Sequence, residues 1–120
     1  MRAYGLFLLV MLPSLVSCIG LAAMGAVTGI AEAYDAGDCA RVIRETDEYQ
    51  PFFEDRPALL AEASYLKADC LIRMNRETEG YGLMRYIAEQ HSDTPYAYQA
   101  QARLDARGAG ETADRGARAD

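Results

Sequence analysis

The chain has 120 residues, of which 51% are apolar and 25% charged, with 18 acidic against 12 basic side chains and a net charge of −6. Residues 32–105 hold 15 of the acids and 8 of the bases, and the bases stand singly, so nucleic acid is not the expected partner and no patch for anionic lipid is visible. The length admits one small domain, not two.

The N-terminus carries a lone cation, Arg2, then a charge-free apolar run that ends in Leu15-Val16-Ser17 before Cys18. Its length is that of a signal-peptide core, too short alone to span ~30 Å of hydrocarbon. The branched Leu15, the tolerant Val16 and the small Ser17 before a cysteine resemble the lipobox of bacterial lipoproteins. That resemblance implies a lipoprotein signal peptide over residues 1–17, cleavage before Cys18, and acylation of its thiol. Two or three acyl chains hold a protein firmly, since each buried CH₂ contributes ~0.8 kcal/mol. Ile19 follows Cys18 where aspartate is similar to an inner-membrane retention signal, which implies the outer membrane, facing the periplasm. An alternative stays open: no charge occurs from Ala3 through Ala31, so an uncleaved helix over about residues 5–30 would cross a bilayer as a single-pass structural component. Gly25 and Gly29 have the small-xxx-small spacing of packed membrane helices.

Downstream, apolar residues recur at three and four, never at two for long, so the fold class is all-α. Residues 19–35 form an Ala- and Gly-rich helix with Leu21, Met24, Thr28 and Ala31 on one stripe, either well buried or embedded in a membrane. Ala36-Gly37-Asp38 is a tight turn, with Gly37 free to take φ > 0 and Asp38 capping the next helix. That helix, residues 39–53, turns Val42, Thr46, Tyr49 and Phe53 to the core. Pro57 opens a third helix as its first residue. The helix runs to about Met74 and buries Leu59, Ala63, Leu66 and Cys70, with Leu71 and Met74 beside them. After Asn75-Arg76 a fourth helix, residues 77–90, carries Tyr81, Met84, Ile87 and Ala88 inward, and Gly80 permits a close approach to its neighbour. Thr94-Pro95 reads as N-cap and first turn of a fifth helix, residues 95–107, with a thin apolar stripe of Ala97, Ala100 and Leu104. Gln99, Gln101, Arg103 and Asp105 give it a wet outer face, as a terminal capping helix needs. Residues 108–120 lack any large apolar side chain and are expected to form a disordered tail.

The segment Tyr65-Leu66-Lys67-Ala68-Asp69-Cys70-Leu71-Ile72-Arg73-Met74-Asn75-Arg76, followed by Gly80, Met84, Ile87 and His91-Ser92-Asp93-Thr94-Pro95-Tyr96-Ala97, resembles a degenerate tetratricopeptide (TPR) repeat, most like those of envelope lipoproteins. Ala68 and Gly80 occupy the small-residue positions where paired helices cross. Met84 stands where an aromatic is usual, Lys67 for a leucine and Ile87 for a small residue. Gly37 aligns faintly with Asn75. The resemblance implies a short TPR-like array over residues 18–107, about two hairpins plus a capping helix.

In that arrangement the antiparallel second and third helices set Cys39 and Cys70 at similar heights from their loop, so the pair is a disulfide candidate. Two buried free thiols are the alternative. His91 is the sole histidine, in a helix-terminating segment, and reads as an ordinary surface residue. Cys39, Cys70 and His91 lack the short spacings of zinc sites, so no metal and no cofactor are expected, and no catalytic residues are assigned. The expected function is a lipid-anchored periplasmic TPR-like protein–protein interaction module, an accessory or adaptor subunit of a cell-envelope assembly complex. It would bind protein partners and no small-molecule substrate. Tyr65, Lys67 and Arg73 on the third helix, with Tyr98 and Gln101 on the fifth, are the candidate partner contacts.

Overall fold

The computed structural model describes residues 20–119, so the signal-peptide and lipidation assignments over residues 1–18 lie outside the described residues. The fold is all-α, with no strand among the described residues. Helix α1 covers residues 20–35, followed by α2 (Cys39–Phe53), α3 (Pro57–Arg73), α4 (Glu77–Gln90) and α5 (Pro95–Ala119). Each helix packs antiparallel on the next, giving two hairpins and a fifth helix. The odd-numbered helices form one layer and α2 and α4 the other.

The two hairpins close with the same device. At the end of α1, Gly37 has φ 74°, its N–H bonds to the Tyr34 carbonyl, and the Asp38 N–H bonds to the Ala33 carbonyl. At the end of α3, Asn75 has φ 62°, and the N–H groups of Asn75 and Arg76 reach the carbonyls of Ile72 and Leu71. Both are Schellman caps, which require a left-handed residue that glycine and asparagine adopt most readily. Asp38 then caps α2 by accepting from the Arg41 N–H at 3.1 Å. Thr94 caps α5 through the Ala97 N–H at 3.2 Å, with Pro95 as first residue.

Helix α3 is the centre, buried on two sides. Ala63 and Cys70 face a cluster with Val27 and Ile30 of α1 and Val42 and Phe53 of α2. Ala61 and Ala68 face a second cluster with Met84 and Ile87 of α4 and Ala97 and Ala100 of α5. Gly80 lies so close to α3 that an added Cβ would stand 2.7 Å from the Ala68 carbonyl oxygen. Cys39 and Cys70 are joined by a disulfide with their Cα atoms 5.1 Å apart, tying the first hairpin to α3. Closing a loop across 31 positions contributes about 3 to 4 kcal/mol on the chain-entropy model.

Four expectations are corrected. In α1 the buried stripe is Ala23, Val27, Ile30 and Ala33, whereas Leu21 and Met24 are 69% and 61% exposed. Both stripes have helical spacing, so spacing alone does not select the one that faces α2 and α3. The buried stripe also bears on a span over about residues 5–30, since Ala23, Val27 and Ile30 within it are buried in the domain core. Among the described residues no helix is long and apolar enough to cross a membrane. Met74 lies at the exposed end of α3 instead of in its core, and His91 is buried, its ring 5.7 Å from that of Tyr86. Finally, residues 108–119 continue α5 as helix, with every side chain exposed. The packed turns of α5 already bear the cost of nucleation, so extension needs only propagation. The pairs Arg107 with Glu111 at 3.1 Å and Arg118 with Asp114 at 3.0 Å support it at helical spacing.

Candidate functional site

Because α3 is buried against both clusters, the strip of its surface between them would be a seam across the odd-numbered layer. Asp69 lies on that strip, between Ala68 and Cys70, and its side chain is only 5% exposed. A carboxylate so placed must be paired. The Tyr34 hydroxyl of α1 donates to Oδ2 at 2.7 Å, Arg73 Nε one turn along α3 lies 2.8 Å from the same oxygen, and Arg103 Nη1 of α5 donates to Oδ1 at 2.6 Å. Arg73 also donates from Nη2 to the Tyr34 hydroxyl at 2.7 Å, with its guanidinium carbon 4.6 Å from the centre of the tyrosine ring. One carboxylate therefore fixes two arginines and a tyrosine from three helices.

Burial pushes the Asp69 carboxyl up, but the hydrogen bonds from Tyr34 and Arg103 and the charges of Arg103 and Arg73 together outweigh it and hold it below the ordinary value. Tyr34 is raised, first by burial and then by its bond to the carboxylate, so it stays a proton donor. Two guanidinium groups meet one carboxylate on the strip itself, and Glu62 stands farther along the same face. Tyr65 flanks it, packed at a tilt on Tyr96 of α5 with ring centres 5.7 Å apart. Towards the N-terminal ends of α1 and α3, the same face continues as a cleft of about 290 Å³ lined by Met24, Val27, Thr28, Ala31, Leu59 and Glu62. Met24, Thr28 and Ala31 of the stripe expected to bury α1, or to embed it, thus line the open face.

The structure brings two of the five candidate contacts together, Tyr65 and Arg73. Lys67 points to the other side of α3, where its Nζ pairs with Asp47 of α2. Tyr98, 84% exposed, and Gln101, bonded to Asp105 at 2.9 Å, lie on the side of α5 turned away from α3. They line a separate cleft of about 380 Å³ with Ala88, Ser92, Ala97 and Ala102. Tyr34, Asp69 and Arg103 were missed. A signal for Asp69 was present, a single carboxylate inside the apolar stretch Ala68 to Ile72 with an arginine four residues on. Arg103, assigned to the wet face of α5, instead reaches inward; nothing local marks a partner 34 positions away.

Among the described residues no group of three His, Cys, Asp or Glu side chains converges as metal ligands would. What the arrangement offers chemically is recognition: preset tyrosine rings and guanidinium donors along a face that ends in an apolar cleft. No protein family, no curated protein and no solved structure matches the chain.

Proposed function

We propose that the protein is a lipid-anchored, periplasm-facing TPR-like interaction module of the bacterial outer membrane, an accessory or adaptor subunit of an envelope assembly complex that binds protein partners and performs no catalysis. The observation that carries this reading is the open face of α1, α3 and α5, where Asp69 presets Arg73, Arg103 and Tyr34 beside Tyr65. Arginine and tyrosine dominate binding hot spots, and side chains held in place beforehand lose less freedom on binding. The exposed parts of the Arg73 and Arg103 guanidinium groups offer donors to an acidic or carbonyl-rich segment of the partner. The lipobox-like Leu15 to Cys18 supports the anchor, and the two like-capped hairpins are compatible with the repeat resemblance of residues 65–97.

Two measurements test it. The intact mass of membrane-extracted protein should lack residues 1–17 and carry acyl chains, and Cys18→Ala should abolish both changes. A photo-crosslinking residue at Tyr65 or Arg73 should give one discrete protein adduct in cells, and the same probe at Lys67 none. An unprocessed mass, or equal adducts from Tyr65 and Lys67, would overturn the anchor or the binding face respectively.

A further inference from the structure

The alternating direction of the helices places the start of α1, α3 and α5 and the end of α2 and α4 at one end of the molecule. The Arg56 Nη1 bond to the Gly20 carbonyl at 3.2 Å joins the α2–α3 turn to the first turn of α1 there. Among the described residues the large apolar or aromatic side chains with high exposure are Leu21, Met24, Phe52, Met74, Tyr86 and Tyr98. All but Met74 lie at that end. With a rise of 1.5 Å per residue, Phe52, Tyr86 and Tyr98 stand within about 6 Å of the terminus of their own helices, and Leu21 and Met24 within about 6 Å of Gly20, which Arg56 ties to this end. Among the described residues Met74 is the one such side chain at the opposite end, beside the turn of Asn75 and Arg76.

Cys18 precedes Gly20 by two residues, a reach of at most about 7 Å even when fully extended. The end with the exposed Leu21, Phe52 and Tyr98 is therefore the end to which an acyl anchor on Cys18 would be attached, without a linker that would let the domain swing away. Around it stand Glu54, Asp55, Glu89 and Asp93 against Arg56, an acidic rim that disfavours anionic headgroups and leaves zwitterionic ones as the matching surface. Phenylalanine and tyrosine at the edge of an apolar end suit the headgroup boundary, where a ring is half in hydrocarbon and a hydroxyl stays wet.

From this placement we infer that the blunt end carrying Leu21, Phe52 and Tyr98 is a second membrane contact, seated on zwitterionic lipid. The helices then stand upright on the bilayer, and the Asp69 face opens sideways into the periplasm. The inference rests on the anchor proposed for Cys18. It goes beyond that anchor, because a lipid chain alone fixes no orientation. The end that bears the Cys39–Cys70 bridge points away from the membrane.

The chain contains no tryptophan, so single replacements are unambiguous reporters. Full-length processed protein carrying Leu21→Trp, Phe52→Trp, Tyr98→Trp or Met74→Trp, each at an exposed site, would be reconstituted into phosphatidylcholine vesicles with brominated acyl chains, after intact mass has established acylation. The expected result is several-fold stronger quenching at positions 21, 52 and 98 than at 74. An unacylated mass overturns the anchor and this orientation with it. Acylated protein with equal quenching at all four positions overturns the orientation and leaves the anchor standing. Weak quenching at 21, 52 and 98 together with a dimer mass identifies the blunt end as an interface between copies, and overturns it also.

Discussion

At the scale of single residues, Gly80 illustrates how a side chain's absence sets the geometry. A Cβ there would lie 2.6 Å from Ile72 Cγ1 and 2.7 Å from the Ala68 carbonyl oxygen, and a backbone atom cannot step aside. Alanine ordinarily improves an exposed helix position by up to about 1 kcal/mol over glycine. At Gly80 the clash reverses the sign, because parting α3 and α4 loosens the cluster of Ala68, Met84 and Ile87. Gly80→Ala should therefore destabilise the protein by about 1 to 3 kcal/mol, the usual cost of overpacking. Gly82→Ala, two residues on in the same helix with nothing within 4 Å of the added atom, should be neutral or mildly stabilising. Urea midpoints of the two variants decide it, and equal midpoints would remove close packing as the reason for the glycine. The residue was legible in the sequence because a glycine inside a helical pattern has a packing reason, and the repeat resemblance implies that Ala68 and Gly80 stand where paired helices cross.

At the scale of elements, α5 separates backbone form from packing. Residues 95–107 are fastened by Ala97, Ala100 and Leu104 to α4, and by Arg107 stacked over the Tyr81 ring at 4.2 Å. Residues 108–119 are exposed throughout, with contacts only along their own helix, yet remain helical. Truncation after Arg107 should lower the helical circular dichroism signal while leaving the unfolding midpoint within about 0.5 kcal/mol in stability, the ordinary range for exposed changes. A larger loss of stability would mean that the extension supports the core. The lack of large apolar side chains after Arg107 told truly that this stretch packs on nothing, but composition says little about a helix that inherits its first turns. Helix α1 shows the complementary limit. Leu21-Met24-Thr28-Ala31 and Ala23-Val27-Ile30 are both spaced at three and four, and only the neighbours α2 and α3 select between them. Elements whose ends carry punctuation were read almost to the residue: Gly37-Asp38 before α2, Pro57 in α3 and Thr94-Pro95 before α5. Those signals act locally, so the chain alone suffices to interpret them.

At the scale of the whole molecule, two devices tie together elements that hydrophobic burial gathers around α3. The Cys39–Cys70 bridge closes the first hairpin onto α3 through a covalent bond. Asp69 spans α1, α3 and α5 by charge, and its contribution is tunable by pH. Its folded-state pKa lies below that of the unfolded chain, about 3.9, so the native state holds the proton less tightly than the unfolded state does. The stability this provides is fully present above the unfolded value and is lost as pH falls through the folded value. Arg73 and Arg103 remain partly exposed, which screens their share, so the cost of Asp69→Asn near neutral pH should be about 1 to 3 kcal/mol, in the range of charged hydrogen bonds, not of a fully buried ion pair. Asparagine keeps the shape and one acceptor but cannot ionise, and so isolates the charge. The gap between wild type and Asp69→Asn in urea midpoint should be constant from pH 7 down to about 5, then narrow below about 4 as the wild-type carboxylate is protonated. A gap that stays the same at acid pH would mean that Asp69 acts by shape alone. Tyr34, raised in the fold by burial and by that carboxylate, places no competing transition in the acid range. Loss of the charge should also free Arg73 and Arg103 to move independently, so the Tyr65 crosslink should weaken under the same acid conditions that narrow the gap, coupling the order of the open face to the joint that holds three helices in register.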